Sequence, residues 1–322
     1  MKLCALSISV SNRLPENRIR FFSMKHLLTI ADFSEAEARD VFARAAAFKA
    51  DRSRTTSPRP LEGQTWALIF SKSSTRTRVS FEVGLHELGA KALFLSAGDI
   101  QLGRGEPIRD TARVLGRMVH GAVIRTFAQQ DVDDFAAFSK IPTINALTDE
   151  EHPCQILTDI FTFEEKRGPI RGRKVAFIGD ADCNVARSWV EAAPIFGFQL
   201  VCAAPDGYQT RFKNDHVHLT GDPTEAARGA DLVYTDVWVS MGKEEESAVR
   251  LKAFQGYQIN EGLLTGAAPG ALVLHCLPAY RGKEISEALF ESRAGDIFDQ
   301  AENRLHVQKG IVDFLHAHRR GA

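Results

Sequence analysis

The segment SKSSTRTR, residues 71–78, consists wholly of serine, threonine, arginine and lysine, and it follows the apolar run TWALIF at 65–70. Short hydroxyls and fixed positive charges at a strand-to-helix corner suit the binding of phosphate. The first N–H groups of a helix lack intrahelical partners, and the helix dipole makes that end positive. Ser74, Thr75 and Thr77 add hydroxyl donors there, while Arg76 and Arg78 add planar guanidinium forks that engage phosphate oxygens two at a time. The corner is a phosphate cradle or, in the ordinary alternative, a capped and solvated basic helix start. It is not a Walker A loop, because the Gly-Lys-Ser/Thr pattern is absent and few glycines are available to wrap a triphosphate. A small phosphorylated metabolite fits it better.

Three other short stretches have the same character. VIRTF places Arg125 at the end of an apolar run, where an arginine is costly unless something pairs with it. HPCQ places His152 and Gln155 at a helix start, with Pro153 at the first helical position. HCLP places His275, Cys276 and Leu277 where a buried run meets a proline. Each lies at or just past a predicted strand end, where open parallel sheets bind ligands. Each also has an ordinary structural alternative: His152 capping its helix, Cys276 packing as a small hydrophobe. Neighbouring residues on a strand face opposite sides, so His275 and Cys276 are not expected to form a nucleophile–base pair.

The elements that would position these groups follow an alternating rhythm. TWALIF, KALFL, GAVIRTF, PTINAL, KVAFIGD, FQLVCAA, DLVYTDVW and ALVLHCLP read as strands, continuously apolar as strands covered on both faces should be. Helices are expected over FSEAEARDVFARAAAFKA, capped by Ser34 with Glu37 three residues on, and over Thr75–Leu88, with Val79 and Val83 on its apolar face and Gly89 ending it. Further helices are expected over Asp110–Val119, Asp131–Phe138, Gln155–Glu165, Val185–Phe196, Glu225–Arg228, Glu284–Phe290 and Arg304–His318. Strands alternating with helices mean βαβ units. The expected fold is α/β, two doubly wound domains, each a central parallel sheet flanked by helices. The Gly/Pro and charge cluster EEKRGPIRGRK at 164–174 marks their junction. The division is then residues 24–166, residues 167–303, and a final helix, 304–322, packing back on the first domain. Residues 1–23 read as a disordered extension or an upstream start.

Composition removes several classes. A net charge of −1 over 322 residues argues for no nucleic-acid partner. No run approaches the ~18 apolar residues of a membrane span, so no membrane partner is expected. Five scattered cysteines without CxxC spacing suggest neither a disulfide framework nor a zinc ribbon, and favour a reducing, cytoplasmic setting. The Arg/Ser-containing first 23 residues leave organellar targeting open.

Together STRTR (74–78), HPCQ (152–155) and HCLP (275–278), in that order, resemble the motifs of the carbamoyltransferase family, and DVWVSMG (236–242) is similar to the signature of its ornithine branch. The resemblance implies that Ser74, Thr75, Arg76 and Thr77 hold the phosphate of carbamoyl phosphate. Arg125 and His152 would reach phosphate and carbonyl oxygen, and Gln155 and the Cys276–Leu277 backbone the carbamoyl NH2. Arg304 would join them from the start of the last helix, and Gln101 would enter a neighbouring subunit's site. Asn184, Asp236, Ser240 and Met241 would grip L-ornithine, with Asp236 orienting its ammonium groups and Cys276, near its δ-amine, joining Arg125 and His152 as a catalytic residue that helps to shed or share the amine's proton. The implied reaction gives L-citrulline and phosphate, with no metal and no organic cofactor, in a homotrimer or multiple of trimers. One departure is visible: in GDADCNVARSW, Cys183 stands where many relatives carry a first asparagine, and Arg187 sits where a smaller polar residue is expected. The alternatives are a carbamoyltransferase for aspartate, putrescine or an N-acylated ornithine, and a non-catalytic nucleotide-binding α/β protein.

Overall fold

The computed structural model describes residues 24–52, 58–96, 105–239 and 244–319. Gln101, Ser240 and Met241 lie outside the described residues, as do residues 1–23. The first domain carries β1 (Thr65–Phe70), β2 (Lys91–Ser96), β3 (Gly121–Arg125) and β4 (Thr143–Leu147), in the sheet order β2-β1-β3-β4. Its helices are α1 (Glu35–Ala50), α2 (Thr75–Glu87), α3 (Ile108–Leu115), α4 (Gln129–Ser139) and α5 (Pro153–Arg167). The second domain carries β5 (Lys174–Ile178), β6 (Gln199–Ala203), β7 (Val217–Thr220), β8 (Leu232–Thr235) and β9 (Leu272–His275), in the order β7-β6-β5-β8-β9. Around it run α6 (Asn184–Phe196), α7 (Pro223–Ala227), α8 (Ser247–Ala253), α9 (Glu261–Leu264) and α10 (Glu287–Ser292), followed by the long α11 (Ala294–Arg319). Every strand pairing in both sheets is parallel.

Each sheet is buried on both faces, which is why its strands read as unbroken apolar runs. From β1, Trp66, Leu68 and Phe70 pack with Phe81 and Leu85 of α2, while Ala67 and Ile69 pack with Val132 and Phe135 of α4 on the other side. The domains also share a core: the Phe42 ring of α1 lies 5.7 Å from Phe161 of α5 and 6.1 Å from Phe196 of α6. This apolar seam sets the two sheets against each other with the carboxyl ends of their strands near the junction.

The structure corrects several expectations. The last helix begins at Ala294, ten residues before Arg304, so Arg304 lies in its interior and not at its start. Gly295 and Asp296 hid that first turn, because the apolar stripe becomes regular only later. Within α2, Val79 is 51% exposed, and the buried stripe is Thr77, Phe81, Gly84 and Leu85. A polar residue that serves the site leads that stripe, so ranking by hydrophobicity selected the wrong face. The helix expected from Glu284 begins only at Glu287, since Glu284 is buried against His275. Strand β7 and the short helices α8 and α9 carried too little periodicity to be read.

Candidate active site

Residue Ser74 caps α2, accepting from the Thr77 amide at 3.2 Å and donating to Thr77 Oγ1 at 3.0 Å. The Arg304 guanidinium also donates to Thr77 Oγ1 at 3.0 Å, which ties α11 to the mouth of α2. Arg304 is buried mid-helix, and Arg125 is buried at the end of β3. The charges of Arg76, Arg125 and Arg304 repel one another, and among the described residues none of the three forms an ion pair. Burial first, and then Arg304 and Arg76, pull the Arg125 guanidinium down to about 10. The Nε atoms of Arg125 and Arg304 are buried without a partner. Three cations gathered without an ion-paired carboxylate, with only the field of buried Asp159 acting on Arg304, are unfavourable until an anion enters.

Beside them, His152 precedes α5 but makes no side-chain capping bond, and its Nδ1 is buried and unpartnered. The capping alternative therefore fails. Burial, then Arg304 and Arg125, hold its imidazole well below the usual histidine range, so it is neutral at pH 7. Gln155, also fully buried, donates through Nε2 to Asp159 at 2.9 Å, and its Oε1 has no partner. Thr75 is exposed on the first turn of α2.

The second domain brings Cys276 Sγ to 2.8 Å from Asp236 Oδ1, just past the ends of β9 and β8. Burial, then Asp236, push the thiol well above its ordinary range, and burial likewise raises Asp236. Cys276 is thus a neutral S–H donor. His275 Nδ1 is 4.0 Å from that sulfur and accepts the Leu277 N–H at 2.8 Å, while Nε2 lies 3.2 Å from Glu284. His275 and Cys276 form no catalytic pair. Asp236, His275 and Cys276 place ligand atoms within 4.8 Å of one another. A metal there would have to displace the Leu277 N–H from Nδ1. Leu277 holds a φ of 60°, a left-handed conformation uncommon outside glycine. Leu277 and Arg76 line one cavity of about 400 Å³, which joins the two domains' loops.

Asn184 opens α6 and donates to the Thr148 carbonyl of the first domain at 2.6 Å. Cys183 caps that helix, its sulfur accepting from the Ala186 amide at 3.4 Å, so the departure from asparagine still supplies a cap. Arg187 pairs with Glu150 at 2.7 Å and Glu151 at 3.1 Å and lies over the Phe212 ring. Cys183, Asn184, Arg187, Glu150 and Phe212 line a second cleft of about 440 Å³.

Sequence reading missed Asp159 and Gln300, which sit behind the site. A signal for both existed: Gln155–Asp159 and Gln300–Arg304 are each four apart on a helix, the spacing at which side chains meet. It also missed the buried Asp180–Arg250 pair, at 2.7 Å, because its partners are 70 residues apart.

Fold and site together define a two-domain α/β enzyme class, with a cluster of arginines around Thr77 of the first domain and an acid–thiol pair on the second. Residues 25–165 match the carbamoyl-phosphate-binding domain of aspartate/ornithine carbamoyltransferases, and residues 171–315 match their Asp/Orn-binding domain. The chain is 55% identical over 306 residues to an ornithine carbamoyltransferase of Akkermansia muciniphila, covering 92% of this chain and 100% of that one. It is 48% identical to the anabolic ornithine carbamoyltransferase of Pseudomonas aeruginosa, covering 92% and 99%. The crystal structure of ornithine carbamoyltransferase from Burkholderia thailandensis superposes with a TM-score of 0.84 at 43% identity, covering 92% of this chain and 99% of that one. The chain belongs to the aspartate/ornithine carbamoyltransferase family.

Proposed function

We propose that the protein transfers the carbamoyl group of carbamoyl phosphate to the δ-amine of L-ornithine, giving L-citrulline and phosphate. The observation that carries this reading is the convergence of Arg76, Arg125, Arg304 and neutral His152 on the Ser74–Thr77 corner, with none of the three arginines in an ion pair among the described residues. The phosphate dianion would take the guanidiniums, the helix start and the Ser74, Thr75 and Thr77 groups. A neutral imidazole suits the carbonyl oxygen, where charge grows as the tetrahedral intermediate forms. Gln155 Oε1 would accept from the carbamoyl NH2. Ser240, Met241 and Gln101 complete the proposed set, together with Asn184, Asp236 and the Cys276–Leu277 backbone.

The amine attacks the carbamoyl carbon in its neutral form, the C–O bond to phosphate breaks, and the amine's proton passes to the departing phosphate oxygen. An amine like lysine's has a pKa of ~10.4, so most of it arrives as ammonium. Desolvation in the cleft lowers that pKa, and the Asp236 carboxylate opposes it while orienting the group. The raised thiol of Cys276 is unsuited to act as the base, and its S–H instead holds Asp236 in place.

A homotrimer in the cytoplasm, with Gln101 reaching a neighbouring site, belongs to the same proposal. The exposed apolar side chains Val79, Leu93, Val114 and Met118 of the first domain support an interface there. Among the described residues no helix is long and apolar enough to cross a membrane. The test offers carbamoyl phosphate with ornithine, aspartate, putrescine and N-acetylornithine in parallel, reading ureido product and free phosphate. Turnover with ornithine alone supports the reading, and preference for another acceptor replaces it.

A further inference from the structure

We propose that Asp159 is a positioning residue that fixes the orientation of the Gln155 amide, and through it the selection of a carbamoyl group over a methyl group beside the bound phosphate. This rests on the reading of Gln155 as the group facing the carbamoyl nitrogen, and deepens it.

The geometry starts from one oxygen. Asp159 Oδ1 accepts from Gln155 Nε2, one turn earlier on α5, at 2.9 Å, and also from Gln300 Nε2 on α11. Gln300 Nε2 lies 3.3 Å from the His275 carbonyl as well. All three side chains are fully buried. An amide's two ends are distinguished by their partners, and both of these acceptors take an N–H. The Gln155 NH2 is therefore turned back toward Asp159. Its Oε1 is left buried with no protein partner.

Asp159 Oδ2 and Gln300 Oε1, on the two side chains behind it, are likewise buried and unpartnered, but Gln155 Oε1 is the acceptor on the proposed ligand contact, and an unpaired buried acceptor there states what is missing. Arg76, Arg125, Arg304, Thr77 and the start of α2 all offer hydrogens, which suits oxygens. Only an N–H on the ligand satisfies Gln155 Oε1. Carbamoyl phosphate has one there, and acetyl phosphate, of nearly the same shape, has a methyl. A site with a fixed acceptor rejects the analogue that lacks the donor, because its buried oxygen then stays unpaired. Were the amide free to turn over, it would present NH2 to NH2 and lose that preference. Asp159 prevents the turn. It does so from a second row, touching no part of the ligand, and Gln300 braces it from the helix that also supplies Arg304.

The test compares purified full-length variants for the KM of carbamoyl phosphate, with ornithine as acceptor, and for the inhibition constant of acetyl phosphate. Asp159→Leu removes the acceptor at similar volume. Its carbamoyl phosphate KM should rise ~10–100-fold, as for a lost buried hydrogen bond, while the acetyl phosphate constant moves less than ~3-fold. Asp159→Asn keeps an acceptor oxygen and should recover most of the lost discrimination. Adding Gln155→Met to Asp159→Leu should cost little more, since both act through one amide. If Asp159→Leu fails to fold by thermal melting, Asp159→Ala carries the same expectation. Equal loss for both phosphates, full discrimination in Asp159→Leu, or Asp159→Asn as impaired as Asp159→Leu would each overturn the assignment. Wild-type enzyme that makes no ureido product would instead overturn the function beneath it.

Discussion

Arg125 and Arg304 are buried beside each other with unpartnered Nε atoms, and Arg76 adds a third positive field. Burying such a group costs stability that the rest of the fold must offset, and under the proposed function a bound dianion would relieve that cost. Geometry matters there as much as charge, since a fork matches two phosphate oxygens and an ammonium does not. Arg76→Lys is expected to lower kcat/KM for carbamoyl phosphate by ~10²-fold, similar to loss of an oxyanion donor, and to weaken product inhibition by phosphate. At Cys276 the expectation concerns pH. Burial and Asp236 raise the thiol well above its ordinary value, so it stays protonated over the working range. Cys276→Ser keeps a donor to Asp236, and its pH–rate profile below pH 9 should retain every limb of the wild type. A limb that vanished with the sulfur would restore the thiol as a base.

At the scale of elements, α2 matters most. Its N-terminus is the proposed cradle, and its first turn is held by Ser74, which both caps the helix and orients the Thr77 hydroxyl. Ser74→Ala should cost about 1 kcal/mol of stability, the usual value of a cap, measured by urea unfolding. It should also raise the carbamoyl phosphate KM more than so small a loss of stability would suggest, because Thr77 loses one of its two side-chain partners. Helix α11 plays the other half. It packs along α1, α2 and α5 of the first domain and against β9 of the second, so its one rigid rod places both Arg304 and Gln300. The two short motifs were legible because α2 carries its own capping hydroxyl and α5 opens on a proline suited to a first helical position. The start of α11 was not, because a long helix begun by Ala-Gly-Asp announces no cap and its role is set by what it lies against.

For the whole molecule, two histidines are held neutral by burial. His26 is pulled to about 4 by burial, against a smaller opposite pull from Asp32, and His152 lies well below its ordinary range. In the unfolded chain each would take a proton near pH 6.5. Both folded values are depressed, so the unfolded state binds more protons below that pH and stability falls as acid is added. Each contributes a slope of up to about 1.4 kcal/mol per pH unit, beginning near pH 6.5 and ending for His26 near pH 4. Glu151, raised by burial, and Asp159, raised by burial to about 7, tilt stability the opposite way across the same window. The histidine contribution is therefore read by difference: going from pH 7 to pH 5, the change in urea midpoint should be more favourable in His26→Gln than in the wild type. The same pH dependence of the midpoint in wild type and His26→Gln would contradict the desolvation of that ring. The aromatic seam of Phe42, Phe161 and Phe196 joins the domains while this happens, so a single unfolding transition is expected.

Local chemistry in the sequence was enough to give the strand-ending motifs, the helix cap at Ser34 and the parallel α/β rhythm. Those features are written in runs of a few residues, where hydroxyls, prolines and apolar stretches act on their own backbone. Only the tertiary structure decided that Arg304 meets Thr77 across 227 residues, that the thiol of Cys276 turns to Asp236 and not to His275, and that Asp159 stands behind Gln155 with Gln300 at its side. Such pairings depend on how two sheets are set against each other by buried aromatic contacts. No local pattern encodes that setting, because its free energy is gained only when distant surfaces leave water together.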